Sequence, residues 1–260
     1  GCSLKSISRI IAICAALTPL AIIPIAAAQT KTARLVLAAD SDWKFLLGDP
    51  SGAEARSFAD NSWRTVNLPH DWSIESPPDK NNPTASGGGF FPAGTGWYRK
   101  SFNLPNEQKG KRLIIQFDGA YMNSEVWLNG RSLGTHPYGY TSFWFDITDK
   151  VRFESTNVLA VKVRNEGENS RWYSGSGIYR HVWLKMFASV HVAQWGTYVT
   201  TAEVSVASAR VNIKTRVLNE SENTGPTILV TRLLDGRGME VAKVESNHTI
   251  QSKDSYEFTQ

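Results

Sequence analysis

Beyond its first 28 residues this sequence alternates. Apolar side chains return at every second position in short runs, and no stretch keeps them at helical spacing over three turns. The runs fall at Arg34–Ala38, Trp43–Leu47, Trp63–Asn67, Gly96–Leu104, Arg112–Asp118 and Ser124–Leu128. They continue at Arg131–Thr135, Phe143–Ile147, Val158–Arg164 and Tyr179–Met186. Many short strands with turn signals between them point to a β-sandwich or barrel. Aromatic density drops near Phe187–Val190, which marks a boundary. Further strands are then expected at Val190–Ala193, Tyr198–Thr201, Arg210–Asn219, Thr227–Leu234, Glu240–Val244 and Tyr256–Thr259.

Several turns can be read in detail. Asn129-Gly130 between two alternating runs is a strong short hairpin signal. Ahead of it, Val126 and Leu128 share one strand face while Glu125 and Trp127 share the other. Lys111–Asp118 is more continuously apolar and fits a strand near the centre of a sandwich. Asp146-Ile147-Thr148-Asp149 ends a strand with side chains that hydrogen-bond locally into a turn.

Two stretches break the rhythm. Pro69–Gly96 holds five prolines and the run Gly87-Gly88-Gly89, yet also Trp72, Phe90 and Phe91. Disordered linkers are poor in aromatics, so this long connection reads as a structured, functional loop. Asn169–Leu184 sets Arg171-Trp172-Tyr173 before a Ser174-Gly175-Ser176-Gly177 turn and runs on into an alternating strand from Ile178. Such a turn at a strand mouth holds aromatic and charged side chains in place, either for a ligand or to close the fold.

Lys5 and Arg9, the apolar run Ile10–Ile25 and Ala26-Ala27-Ala28 read as a secretory leader. That run is shorter than a membrane span and carries Pro19 and Pro24. Cleavage after Ala28 removes both cysteines, Cys2 and Cys14, and takes the formal charge from +4 to +2, as 26 basic minus 24 acidic residues. No block of Lys or Arg remains, so nothing supports a nucleic-acid partner. Nine Trp and eight Tyr suit wet binding surfaces and sandwich cores alike.

A search for catalytic groups finds little. No His or Cys spacing offers metal ligands. The glycine run lacks the Lys-Ser/Thr and helix of a phosphate loop. His70 and Asp71 are neighbours, but adjacent residues of an extended chain point oppositely, which favours a structural histidine. Glu75, Asp79 and Glu125 give no basis for choosing a glycosidase carboxylate pair. On these grounds the chain is an exported two-domain β protein, more readily a binding module than an enzyme.

Several motifs in order nevertheless resemble one family. They are Leu68-Pro69-His70-Asp71-Trp72-Ser73-Ile74-Glu75, Gly94–Phe102, Phe117-Asp118-Gly119-Ala120 with Ser124–Gly130, His136-Pro137-Tyr138-Gly139-Tyr140, Asn157–Val161 and Ser170–Arg180. Together they are similar to the amino-terminal part of glycoside hydrolase family 2, in forms most like its bacterial β-galactosidases. The resemblance implies an all-β chain: a jelly-roll β-sandwich followed by a truncated immunoglobulin-like β-sandwich. Residues 1–28 would be the leader, 29–187 the sugar-binding-type domain and 188–260 the incomplete second sandwich. In the family a (β/α)-barrel carries the two catalytic glutamates, and that barrel is expected to be absent here, so no catalytic residue is assigned.

The resemblance further implies that jelly-roll loops form a rim over the barrel's active site. On motif position the substrate-binding candidates are Asn82, Asn169, Arg171 and Trp172. Amide and guanidinium groups hydrogen-bond sugar hydroxyls and an indole face stacks on a ring. Packing of Arg171 and Trp172 against a neighbouring domain is the competing reading. Some relatives carry an acid near Asn169–Arg171 that meets a cation; its replacement here argues against a metal, and no cofactor is expected. The implied partner is a terminal β-galactoside or related saccharide, with β-glucuronidase, β-mannosidase and a stand-alone carbohydrate-binding module as alternatives. A homo-oligomer is compatible with all of these.

Overall fold

A computed structural model describes residues 34–260. The leader expected over residues 1–28 lies outside the described residues. In chain order the strands are β1 (Arg34–Ala38), β2 (Trp43–Leu47), β3 (Arg64–Val66), β4 (Gly94–Asn103), β5 (Arg112–Phe117), β6 (Ser124–Leu128), β7 (Arg131–His136) and β8 (Phe143–Asp146). They continue with β9 (Thr156–Asn165), β10 (Val182–Phe187), β11 (Val190–Val204), β12 (Ala209–Asn219), β13 (Gly225–Leu234), β14 (Glu240–Ile250) and β15 (Asp254–Thr259). The fold is all-β: a jelly-roll sandwich followed by an immunoglobulin-like one.

The first sandwich sets a four-stranded sheet, β1-β10-β5-β8, against a six-stranded sheet, β3-β2-β4-β9-β6-β7. Alternation decides which side chains meet. Leu113, Ile115 and Phe117 of β5 and Val182, Leu184 and Met186 of β10 face Val126, Leu128, Leu159, Val161 and Tyr98 in one core. Each such large apolar side chain, fully buried, stabilises by about 1.5–3 kcal/mol. The continuously apolar β5 lies inside its sheet, between β10 and β8, as its sequence suggested. Asn129 and Gly130 both have positive φ (54° and 80°), which the two-residue hairpin turn between β6 and β7 requires.

The other face of the six-stranded sheet carries a smaller cluster of Ala53, Trp63, Trp97 and Ala160, with Trp127 stacked on Trp97 at 5.3 Å. Arg99 is buried beside it. Its guanidinium donates to Asp60 (2.8 Å) and to the carbonyls of Ala53 (2.5 Å) and Ala55 (3.0 Å), tying the β2–β3 connection down. A buried cation persists because its donors are met in this way.

The second sandwich places β11-β12-β15 near the ribbon β13-β14, with Val217, Ile250 and Phe258 between them. It meets the first through Arg112 of β5, whose guanidinium binds both Asp146 of β8 and Glu220 after β12. Gln194 reaches Gln116 at 2.5 Å, and His191 packs on the Phe187 ring.

Two expectations need correction. The strand read from Ile178 begins only at Val182, because the Ile178 carbonyl accepts the His70 N–H of the long connection and Gly177 pairs with Tyr121, which draws this stretch away from the β10–β5 ladder. The runs Val190–Ala193 and Tyr198–Thr201 are one strand, β11, interrupted by a register shift between Val192 and Thr197. Trp195 sits in that shift with φ 54°, which broke the alternation.

Candidate functional site

The long loop and the Asn169 loop form one assembly. Asp71 caps the 3-10 turn Trp72–Glu75 by accepting the Ser73 N–H at 2.9 Å. The same carboxylate accepts the Ser176 N–H at 2.8 Å and the Tyr173 hydroxyl. Ser73 and Ser176 hydroxyls lie 2.6 Å apart, and Asn165 donates to Ser176 Oγ at 2.7 Å. Backbone bonds close the arrangement, from Trp72 N–H to the Ser176 carbonyl and from His70 N–H to that of Ile178. Burial and the Asp71 carboxylate together hold the Tyr173 phenol above its ordinary pKa, so it stays a donor.

Glycine makes this approach possible. At Gly177 (φ 123°) a Cβ would stand 2.7 Å from the His70 carbonyl oxygen. The loop could not lie against the long connection with any other residue there. Gly177 also exchanges both backbone bonds with Tyr121, at 2.9 and 3.0 Å.

His70 and Asp71 serve different partners. Burial lowers the His70 pKa, with Glu75 acting in the opposite direction, so the ring is neutral. The Tyr98 hydroxyl, kept protonated by burial, then donates to Nδ1 (2.6 Å), and Nε2–H donates to Glu75 (3.1 Å). Glu75 is also paired with Arg64. Glu75 and His70 thus brace the loop's root, while Glu125 pairs with Arg164 at 3.2 Å on the sheet surface.

The four residues singled out from sequence divide into two pairs. Asn169 donates to Asn165 Oδ1 (2.6 Å) and accepts the Tyr121 hydroxyl (3.0 Å), and Asn82 donates to the Phe90 carbonyl (2.8 Å). Both amides are therefore engaged in fastening their own loops. Arg171 and Trp172 stand at the tip, with Trp172 72% exposed. The two loops touch where Gly87 meets the Ser170 carbonyl and where Phe91 lies 4.8 Å from Tyr173, ring to ring.

Sequence reading missed Asp71, Ser73, Tyr121 and Ser176 as the fastening groups. The Asp71-x-Ser73 cap was visible as a pattern; its second acceptor role, across the fold, was not. Tyr121 also carries an aromatic flank, with Tyr140 at 5.2 Å and Tyr138 at 5.7 Å from Tyr140. Among the described residues no three His, Cys, Asp or Glu side chains gather as around a metal ion.

An exposed arginine and indole on a braced loop can grip a hydroxylated ring by hydrogen bonds and stacking. They offer no acid–base pair. Residues 38–187 match the family model described as glycosyl hydrolases family 2, sugar binding domain. The chain is 48% identical over 222 residues to a β-galactosidase of Bacteroides ovatus, covering 85% of this chain and 26% of that protein. It is 31% identical over 240 residues to a β-glucuronidase of Formosa agariphila, covering 84% of this chain and 24% of that one. A family 2 member from Bacteroides cellulosilyticus superposes with a TM-score of 0.82 at 44% identity, over 86% of this chain and 30% of the other. The chain spans about a quarter of the length of the two sequence relatives.

Proposed function

Because the chain belongs to glycoside hydrolase family 2, we propose that it is the non-catalytic part of an exported, retaining exo-glycosidase that removes terminal β-galactosyl units. The 48% identity with the Bacteroides ovatus β-galactosidase is the observation that carries the choice of sugar. In this reading residues 29–187 form the sugar-binding-type domain, residues 188–260 belong to the immunoglobulin-like one, and residues 1–28 direct export. The catalytic glutamates belong to a barrel outside this sequence. Arg171 and Trp172, held out by the Asp71–Ser176 assembly, complete the rim of that barrel's site and orient the terminal sugar.

A second reading, β-glucuronidase, draws on the Formosa agariphila relative and on the exposed Arg171 guanidinium, a group suited to a uronate carboxylate. The whole parent protein, assayed on aryl β-galactoside, β-glucuronide and β-mannoside, separates the readings. Preference for the galactoside, with anomeric configuration retained in the product, is the expected result. Hydrolysis of the glucuronide alone transfers the assignment to the second reading, and no hydrolysis of any of the three ends both. For the chain by itself the expected outcome is no measurable binding of a simple galactoside, since the rim supplies only part of a site.

A further inference from the structure

The outer face of the four-stranded sheet carries groups that neither the core nor the loop assembly uses. Register places Trp183 of β10, Gln116 of β5 and Trp144 of β8 side by side in one row. Their alternate neighbours Val182, Leu184, Phe117 and Phe143 fill the core, so this row points outward. The two tryptophans are thus two strand spacings apart, roughly 10 Å, with an amide between them. A third indole, Trp195, leans in from β11 and meets Trp144 edge to face at 6.5 Å.

Trp195 is the informative residue. Its φ of 54° lies in the left-handed region, which a bulky side chain adopts only when the surrounding chain imposes it. Burial does not offset that conformation, because the residue is 59% exposed. Bulges that re-aim a side chain cluster at binding sites. The floor of the face is polar and fixed. Lys185 is 7% exposed and donates to Gln116 Oε1 at 2.6 Å, while Gln194 donates to the same oxygen. Gln116 donates to Asp118, which in turn holds the Trp183 indole N–H at 2.7 Å. An ammonium has three N–H groups, and Gln116 is the single hydrogen-bond partner of the Lys185 ammonium among the described residues.

We infer that this face is a second carbohydrate site, taking a neutral saccharide chain of several rings between Trp183, Trp144 and Trp195, with Lys185 and Gln116 donating to hydroxyls beneath. Gln116 bridges the Lys185 ammonium and the Asp118 carboxylate, so the row carries charges of both signs and offers no single-sign patch for an ionic ligand. Separated indoles with amides and an ammonium between them suit a chain of hydroxylated rings, each with an apolar and a polar aspect. The site lies on the sheet strands and β11, on other elements than the tip carrying Trp172. The choice of a saccharide rests on the family's sugar chemistry, but the test reads binding and not hydrolysis, so the two readings fail separately.

The test uses the full chain and soluble galactan, galactomannan and mixed-linkage β-glucan as probes. Native electrophoresis in gels containing each polysaccharide should show retardation by at least one, lost in Trp144→Ala and in Trp183→Ala. To guard against variants that misfold, the wild-type chain is oxidised with N-bromosuccinimide and its tryptophans followed by mass spectrometry. The expected result is that the retarding polysaccharide slows oxidation of Trp144 and Trp195 at least fivefold and leaves Trp172 unprotected. Absence of retardation by all three probes overturns the inference, as does protection confined to Trp172. Protection of Trp144 and Trp195 that follows protein concentration instead of added polysaccharide also overturns it, and makes the face a contact between copies of the chain.

Discussion

The Asp71 carboxylate accepts the backbone N–H of Ser176 at 2.8 Å across a sequence separation of 105 residues, while also capping its own 3-10 turn. With the Tyr173 hydroxyl, three donors converge on one anion. Removing it leaves those donors unmet in a partly buried place. Asp71→Ala should therefore lower stability by about 3–5 kcal/mol, and Asp71→Asn, which keeps an acceptor oxygen, by about 1–2 kcal/mol. Urea unfolding followed by fluorescence checks both. A loss under about 1 kcal/mol for the alanine variant would remove Asp71 as the fastening group.

Gly177 gives a steric counterpart. A Cβ there meets backbone oxygen of His70, which no side-chain rotation relieves. Gly177→Ala should cost about 3 kcal/mol or more, since strain and overpacking combine. Gly52→Ala is the comparison. It too has positive φ (81°), but its Cβ would meet nothing within 4 Å, so its cost should stay near 1 kcal/mol, roughly the conformational part alone. Thermal melts of the two variants distinguish crowding from backbone conformation.

Acid should weaken the fold in two stages. Burial lowers the pKa of His70, His136 and His191 below the ordinary 6.5, so the unfolded chain takes up these protons first. Their contribution is complete above pH 6.5 and is lost as pH falls below it. For Glu75, burial acts to raise the pKa, but hydrogen bonds from Arg64 and His70 outweigh it and the net shift is downward. Its contribution is present above the ordinary 4.5 and is lost on further acidification. Melting temperatures measured from pH 8 to pH 4 should be level at first, then decline below 6.5. His191→Gln should flatten the first part of that decline.

Arg112 predicts how the two sandwiches uncouple. Hydrogen bonding to Glu220 is the main reason its pKa is raised, against the opposing effect of burial, with Asp146 adding further attraction. Glu220→Gln should weaken the junction by about 1–2 kcal/mol, a moderate figure because the group is partly exposed and screened. Differential scanning calorimetry should then show the second sandwich melting ahead of the first. A single unchanged transition would place the coupling elsewhere, in the Phe187–His191 packing.

Most of the first sandwich was legible because its strands alternate cleanly and its turns use Asn-Gly or Asp-x-Thr chemistry. Trp43–Leu47 and Ser124–Leu128 match the structure residue for residue. β11 was split in two because Trp195 and Gly196 interrupt the period with a bulge, and period is the only local signal a strand sends. The site was legible in part. A glycine turn beside aromatics marks a loop that must be held, but not what holds it. Asp71 and Ser176 meet only after the sheets have formed, and the engaged amides of Asn82 and Asn169 cannot be told from free ones in a sequence.

The stacked pair Trp97 and Trp127, 5.3 Å apart with planes inclined by 24°, has an optical consequence. Two indoles at that separation couple their electronic transitions and give a split band in circular dichroism, of opposite signs about the absorption maximum. Trp97 lies on β4 and Trp127 on β6, joined only through β9, so the couplet exists only while three strands keep register. A one-residue slip of β6 would turn Trp127 to the opposite face and silence it. The chain thereby carries its own chiral reporter of sheet alignment, readable without a label, a ligand or an assay.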